Sequence, residues 1–127
     1  MSAKILIVDD SALSRRTLRR ILESGGYDVV EANDGMTALE TYFLEKPNLV
    51  LLDLVMKGMY GLDVLTKLRE MDPKALVVVA SADIQSSTRK LVDEAGALGF
   101  IHKPFVSEQV IAATEAALAE GAPSETN

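Results

Sequence analysis

The chain has no cysteine, no tryptophan, one histidine and only four prolines. Without thiols there is no disulfide scaffold, no thiol nucleophile and no Cys-based zinc site. The lone histidine, His102, cannot build a two-His metal site. Basic charge is also scarce: 13 Lys and Arg stand against 19 Asp and Glu, a net of −6, which argues against a domain-wide nucleic-acid footprint. Long apolar runs are missing. Stretches such as Leu49 to Leu52 and Ala75 to Ala80 fall far short of the roughly 20 residues that span a bilayer, so no membrane insertion is expected. Four apolar residues from Ile5 lead straight into two aspartates, which does not read as a signal peptide. What is present is 127 residues, 48% hydrophobic, enough for one core. The expectation is one acidic, cytoplasmic domain whose chemistry comes from carboxylates, lysine, hydroxyls and backbone.

The chain shows no internal repeat, but it alternates. Ile5-Leu6-Ile7-Val8 reads as a buried strand, and Ser11 caps a helix from Ala12 to Ser24 whose apolar positions are Leu13, Leu18, Ile21 and Leu22. Tyr27 to Ala32 is a second strand, followed by a helix from Met36 to about Glu45 with Asp34 as its cap. Leu49 to Asp53 is a third strand, Leu54 to Gly61 a loop, and Leu62 to Met71 a helix stopped by Asp72-Pro73. Leu76 to Ala80 is the fourth strand. A weaker helix runs from Gln85 to Ala95, with Ile84, Leu91, Val92 and Ala95 as its apolar positions. Phe100 to His102 is the fifth strand, and Ser107 caps a last helix to about Ala119. The domain is therefore placed at residues 1–119, with 120–127 as a flexible tail. Strands alternating with helices imply a doubly wound parallel sheet covered on both faces. In such sheets functional groups gather at the carboxyl ends of the strands.

Those ends carry one set of residues. Strand one ends in Asp9-Asp10, strand three in Asp53, strand four in Ser81, and strand five in His102-Lys103-Pro104. Gathered carboxylates repel one another. An oxygen-seeking cation such as Mg²⁺ resolves that conflict, using carboxylates and a substrate phosphate. Lys103 can pair with Asp53 or a phosphoryl oxygen, and the Ser81 hydroxyl can donate to the same oxygen. The set suggests phosphoryl transfer to an Asp nucleophile. No glycine-rich nucleotide loop follows the first strand.

As a set, Val8-Asp9-Asp10-Ser11, Leu52-Asp53, Ser81-Ala82 and Lys103-Pro104-Phe105 resemble the receiver domain of two-component response regulators, over residues 4 to about 119. The resemblance is strongest to the stand-alone receivers of bacterial chemotaxis. It implies a flavodoxin-like (βα)5 fold with strand order 2-1-3-4-5. It also implies Asp53 as phosphoacceptor, and Mg²⁺ held by Asp9, Asp10, Asp53 and the Val55 carbonyl. Ser81 is then the switch hydroxyl, Lys103 the phosphate-contacting base and Phe100 the aromatic switch. The implied partners are a histidine kinase docking on the first helix, a downstream target such as a motor switch or another effector, and a phosphatase. The implied role is signalling rather than enzymatic: the protein catalyses only its own phosphorylation and dephosphorylation. A stand-alone phosphorelay shuttle is the alternative within the family.

The chain departs from the family pattern in places. Lys57 stands where Pro is common, Tyr60 where an acidic residue or Asn is common, and Phe100 lacks the hydroxyl of the commoner Tyr. Val55 and Asp83 occupy the positions that flank the path of the hydrolytic water, which implies a tuned dephosphorylation rate. Family resemblance implies a cis bond before Pro104, whereas sequence alone favours trans. Simpler readings exist for single residues. Phe100 alone is an ordinary core ring, Ser81 alone a turn residue, and His102 an exposed side chain. The arginines Arg15, Arg16, Arg19 and Arg20 form either a solvated helix face or a docking patch. Rivals from other classes are an Asp-nucleophile phosphatase, which carries D-x-D on its first strand, and an unphosphorylated binding module. A flavodoxin, the third rival, needs a Ser/Thr-rich loop where this chain has Asp9-Asp10.

Overall fold

Apolar runs without polar alternation make strands that must be buried on both faces. In the computed structural model, which describes residues 2–82 and 85–121, they occupy the centre. The strands are β1 (Lys4–Val8), β2 (Asp28–Ala32), β3 (Leu49–Leu52), β4 (Val77–Ser81) and β5 (Gly99–His102). The helices are α1 (Ala12–Ser24), α2 (Gly35–Glu45), α3 (Gly61–Met71), α4 (Ser86–Glu94) and α5 (Ser107–Glu120). The sheet order is β2-β1-β3-β4-β5 and the neighbouring strands pair in parallel. This is the doubly wound flavodoxin-like order expected from the resemblance. Among the described residues, no helix is long and apolar enough to cross a membrane.

Side chains alternate across each strand, so the sheet separates two cores. Leu6, Val8, Val50, Leu52, Val77 and Val79 face a cluster shared with Ala38 of α2, Val64, Leu65 and Leu68 of α3, and Val92 of α4. Ile5, Ile7, Leu49, Leu51, Val78 and Ala80 face the cluster shared with Leu18, Ile21 and Leu22 of α1 and with Val110 and Ala117 of α5. Each fully buried aliphatic side chain contributes about 1.5–3 kcal/mol. This double-sided packing fixes the height of every strand end, and so the positions of the residues that follow.

Helix starts follow the expected chemistry at two points. Ser11 Oγ accepts from Ser14 N at 3.2 Å, and Asp34 Oδ1 accepts from Thr37 N at 2.8 Å. Three expectations are corrected. Ser107 is the first residue of α5 rather than its cap, because the helix starts immediately after Val106 and no side chain caps it. Leu13 is 67% exposed, since it lies about two and a half turns from Leu22 and so on the opposite face of α1. Leu91 is 51% exposed, because α4 buries its neighbour Val92 instead. α5 runs to Glu120, one residue beyond the expected boundary. Ile84, Asp83 and residues 122–127 lie outside the described residues.

Candidate functional site

The ends of β1, β3 and β5 converge. Asp9 follows β1 and is 1% exposed, Asp53 follows β3 and is 4% exposed, and Asp10 beside them is exposed. Oxygens from the three carboxylates lie within 4.8 Å of one another. Backbone donors hold each in place. Ser11 N donates to Asp9 Oδ1 at 2.9 Å, Val55 N to Asp53 Oδ1 at 3.2 Å, and Lys57 N to Asp10 Oδ2 at 3.2 Å. The last contact ties the β3–α3 loop to the β1–α1 turn. Lys103, just past β5, closes the group. Its ammonium lies 3.1 Å from Asp53 Oδ2 and 2.9 Å from Asp9 Oδ2. The sequence offered Lys103 to Asp53 or to a phosphoryl oxygen; the structure also brings it to Asp9.

The electrostatics follow from burial. Desolvation raises the Asp9 carboxyl pKa, aided by the Asp53 charge and opposed by the Ser11 N–H and Lys103. For Lys103, burial disfavours the ammonium. Its contacts with Asp9 and Asp53 together outweigh burial, so its pKa is raised and it stays charged. Asp9 Oδ2 is fully buried and, among the described residues, has no aligned hydrogen bond, only the ion-pair contact with Lys103. A buried carboxylate oxygen in that state, beside two more carboxylates, matches what an oxygen-seeking divalent cation requires. The donor set therefore fits a hard divalent metal.

Two further expected positions lie at the same edge. Ser81 ends β4, fully buried, with its partner His102 across the β4–β5 ladder. Val55 is 58% exposed in the loop after β3. Phe100 is half-buried on β5, against the core side that includes α4. Two groups that the sequence reading did not connect hold its ring. The Arg89 guanidinium lies 5.3 Å over its centroid, and the His102 ring meets it edge-on at 5.1 Å. His102 is exposed, as expected. The Lys103–Pro104 peptide is cis. The general preference for trans therefore does not hold here, and the family expectation does.

The four arginines divide. Arg15 Nε lies 2.9 Å from Glu31 Oε1 and Arg19 Nε 2.6 Å from Glu31 Oε2, so one carboxylate of β2 serves two arginines of α1. Arg15 Nη1 also donates to the Asp9 carbonyl at 2.7 Å. Arg16 and Arg20 point to solvent. Glu31 is one of two acids in the strand Asp-Val-Val-Glu-Ala, and nothing in the sequence alone marks it as the one that meets α1. Burial works against the Glu31 carboxylate, but hydrogen bonds from Arg19 and Arg15 outweigh it and lower its pKa. A lowered carboxyl pKa contributes stability above the unfolded value that is lost as pH falls through the folded one. Glu31→Gln is expected to cost about 1 kcal/mol near neutrality, after allowing for solvent screening. The gap to wild type should begin to narrow as pH falls past the ordinary glutamate value of about 4.3 and close only as it falls through the lower folded value, where the wild-type side chain also becomes neutral. Thermal unfolding of the two proteins across pH 3–7 measures it, and a gap independent of pH would contradict the ion-pair account.

Comparison with known proteins agrees with this geometry. The family model of the response regulator receiver domain matches residues 5–115. The chemotaxis protein CheY of Thermotoga maritima is 39% identical over 114 residues, covering 89% of this chain and 95% of that protein. CheY of Bacillus subtilis is likewise 39% identical over 114 residues, with the same coverage. Among solved structures, a CheY-like receiver domain protein from Methanospirillum hungatei superposes with a TM-score of 0.90 at 26% identity, covering 95% of this chain and 97% of that one. The chain therefore belongs to the response regulator receiver domain family, the phosphorylation-activated signalling switches of two-component systems.

Proposed function

We propose that Asp53 is the phosphoacceptor of this receiver, served by Mg²⁺ on Asp9, Asp10 and Asp53 with the Val55 carbonyl. The observation that carries the reading is the shared lysine: Lys103 bridges Asp9 and Asp53 within a set of carboxylates that already fits a divalent cation. When bound, the metal would offset negative charge on the carboxylates and the incoming phosphoryl group. The chain's own residues do the rest. Val55 N–H orients Asp53 Oδ1, leaving its carboxylate as the nucleophile. An Asp53 oxygen attacks phosphorus. The bond from phosphorus to the donor's nitrogen or oxygen breaks, and its electron pair leaves with the donor. The donor is a histidine kinase or a small phosphodonor such as acetyl phosphate.

The acyl phosphate adds roughly −1.5 to −2 charges by analogy with other phospho-residues. Lys103 moves its ammonium from the carboxylate pair to a phosphoryl oxygen, and the Ser81 hydroxyl donates to another. Phe100 follows Ser81 by repacking its ring. The readout is a changed α4–β5–α5 face, where Leu91, Leu98 and Val106 are already exposed. Phosphorylation shifts a population between two arrangements, so its effect is bounded by how much the phosphoryl group prefers one. In this reading the chain is a cytoplasmic domain at 1–119 that turns over no external substrate. It takes its phosphoryl group from a histidine kinase, and Arg16 and Arg20 are the α1 charges open to docking. It signals to a target protein, in chemotaxis or another pathway, and a phosphatase resets it.

Incubation with radiolabelled acetyl phosphate tests the reaction. Label should enter the protein with Mg²⁺ and fall to background with excess EDTA. Labelling that ignores the metal would contradict the assignment.

A further inference from the structure

The turn that carries Asp9 and Asp10 is held from behind. Asp9 N donates to Ala32 O at 3.2 Å, which ties the turn to the end of β2. The Asp9 carbonyl accepts from Arg15 Nη1 at 2.7 Å. Arg15 itself is fixed, because its Nε donates to Glu31 Oε1 at 2.9 Å. Glu31 is fixed in turn by Arg19 Nε at 2.6 Å, and Arg19 Nη2 reaches the Val29 carbonyl at 3.3 Å. The result is a bracket from β2 through two arginines of α1 to the backbone of the first carboxylate.

We propose that Arg15 is a positioning residue for the divalent-metal site, acting through the Asp9 carbonyl and held by Glu31 and Arg19. The claim rests on the reading of Asp9 and Asp10 as metal ligands. The physical need is specific. Two adjacent carboxylates repel each other, and the buried one, Asp9, is held at Oδ1 by Ser11 N–H. Side-chain direction from a two-residue turn depends on the peptide planes that flank it. The plane between Asp9 and Asp10 carries the carbonyl that Arg15 holds. A planar guanidinium suits the task, because its fork donates to a carboxylate and a carbonyl in fixed directions at once. A lysine keeps the charge but cannot fill both positions with that geometry. The nearby pocket lined by Arg15, Glu31, Ala32, Asn33 and Thr37 marks the same bracket from the solvent side.

Charge alone predicts no change for Arg15→Lys. Arg15 is a cation near a cation site, so its only direct electrostatic effect is to weaken metal binding, and Arg15→Lys leaves that effect in place. Weaker binding in Arg15→Lys therefore reports lost positioning. Calorimetric titration of the full chain with MgCl2 is the test, with melting temperatures taken in metal-free buffer. Arg15→Lys should weaken Mg²⁺ binding by about tenfold, the lower range for groups that orient metal ligands. Tyr42→Phe removes the hydrogen bond to Asp72 Oδ2 at the far end of α2, outside the bracket, so its Mg²⁺ affinity should stay within about twofold of wild type even where its melting temperature falls. Unchanged affinity in Arg15→Lys, or equal weakening in both variants, overturns the positioning role. Wild-type protein that binds no Mg²⁺ overturns the metal-site reading, and this inference with it. Tight wild-type binding with an unaffected Arg15→Lys overturns this inference alone.

Discussion

Asp53→Asn is expected to lower phosphoryl labelling by acetyl phosphate more than about 100-fold, the scale of losing a nucleophile. The amide keeps the shape of the side chain and an acceptor for the Val55 N–H, so the loop after β3 has no reason to rearrange. What it loses is the anionic oxygen that forms the new bond and the charge that pairs with Lys103 at 3.1 Å. Lys103 keeps its second partner, Asp9, so the ammonium is not stranded without a counter-charge. The variant should therefore fold and melt cooperatively while failing to label. Labelling near the wild-type level would move the acceptor role to another carboxylate. Loss of the fold along with the label would make Asp53 a structural residue first.

Gly61→Ala is the substitution with the largest expected effect on stability. Gly61 opens α3 where the helix backs onto the strand that delivers Asp53. Its N–H donates to Leu54 O at 3.0 Å. A Cβ at this position would press on Leu54 Cα and stand 2.5 Å from Asp53 O, both backbone atoms that cannot swing aside. The strain falls on the peptide that aims Asp53. A cost of about 2–3 kcal/mol is expected, which corresponds to a fall in melting temperature on the order of 10 °C. Labelling should fall as well at temperatures where the variant is still folded, because one of the displaced atoms is the acceptor's own carbonyl oxygen and the other is on the residue that follows it. A melting temperature within about 2 °C of wild type would show that the helix can slide away at little cost.

The sheet was legible because most of its strands are uninterrupted apolar runs alternating with helices, which implied a doubly wound parallel sheet, while the strand order came from the family resemblance. The strand-end residues were legible because a strand end is a fixed place in such a fold, and four short motifs named what stands there. Side-chain partnerships were not. Glu31 is an acid in a short strand and carries no sequence mark that it faces two arginines. Only the parallel register of β1 with β2, in which Ile7 pairs with Glu31, brings it beside α1. Arg89 over Phe100 depends on how α4 lies across β5, which periodicity does not specify. Leu13 misled on apolar character alone, since its nine-residue spacing from Leu22 already puts it half a turn out of phase with the buried face. The sharing of Lys103 depends on the relative heights of β1, β3 and β5, set by packing on both faces of the sheet.

The most direct test of the central claim is to map the modification. Wild-type protein is incubated with acetyl phosphate and Mg²⁺, digested under mild acid conditions that preserve acyl phosphates, and its peptides are sequenced by mass spectrometry. The account predicts one phosphoryl group per chain, on Asp53, that disappears when the metal is chelated. A phosphoryl group on Asp9, Asp10 or any side chain other than Asp53 would contradict it.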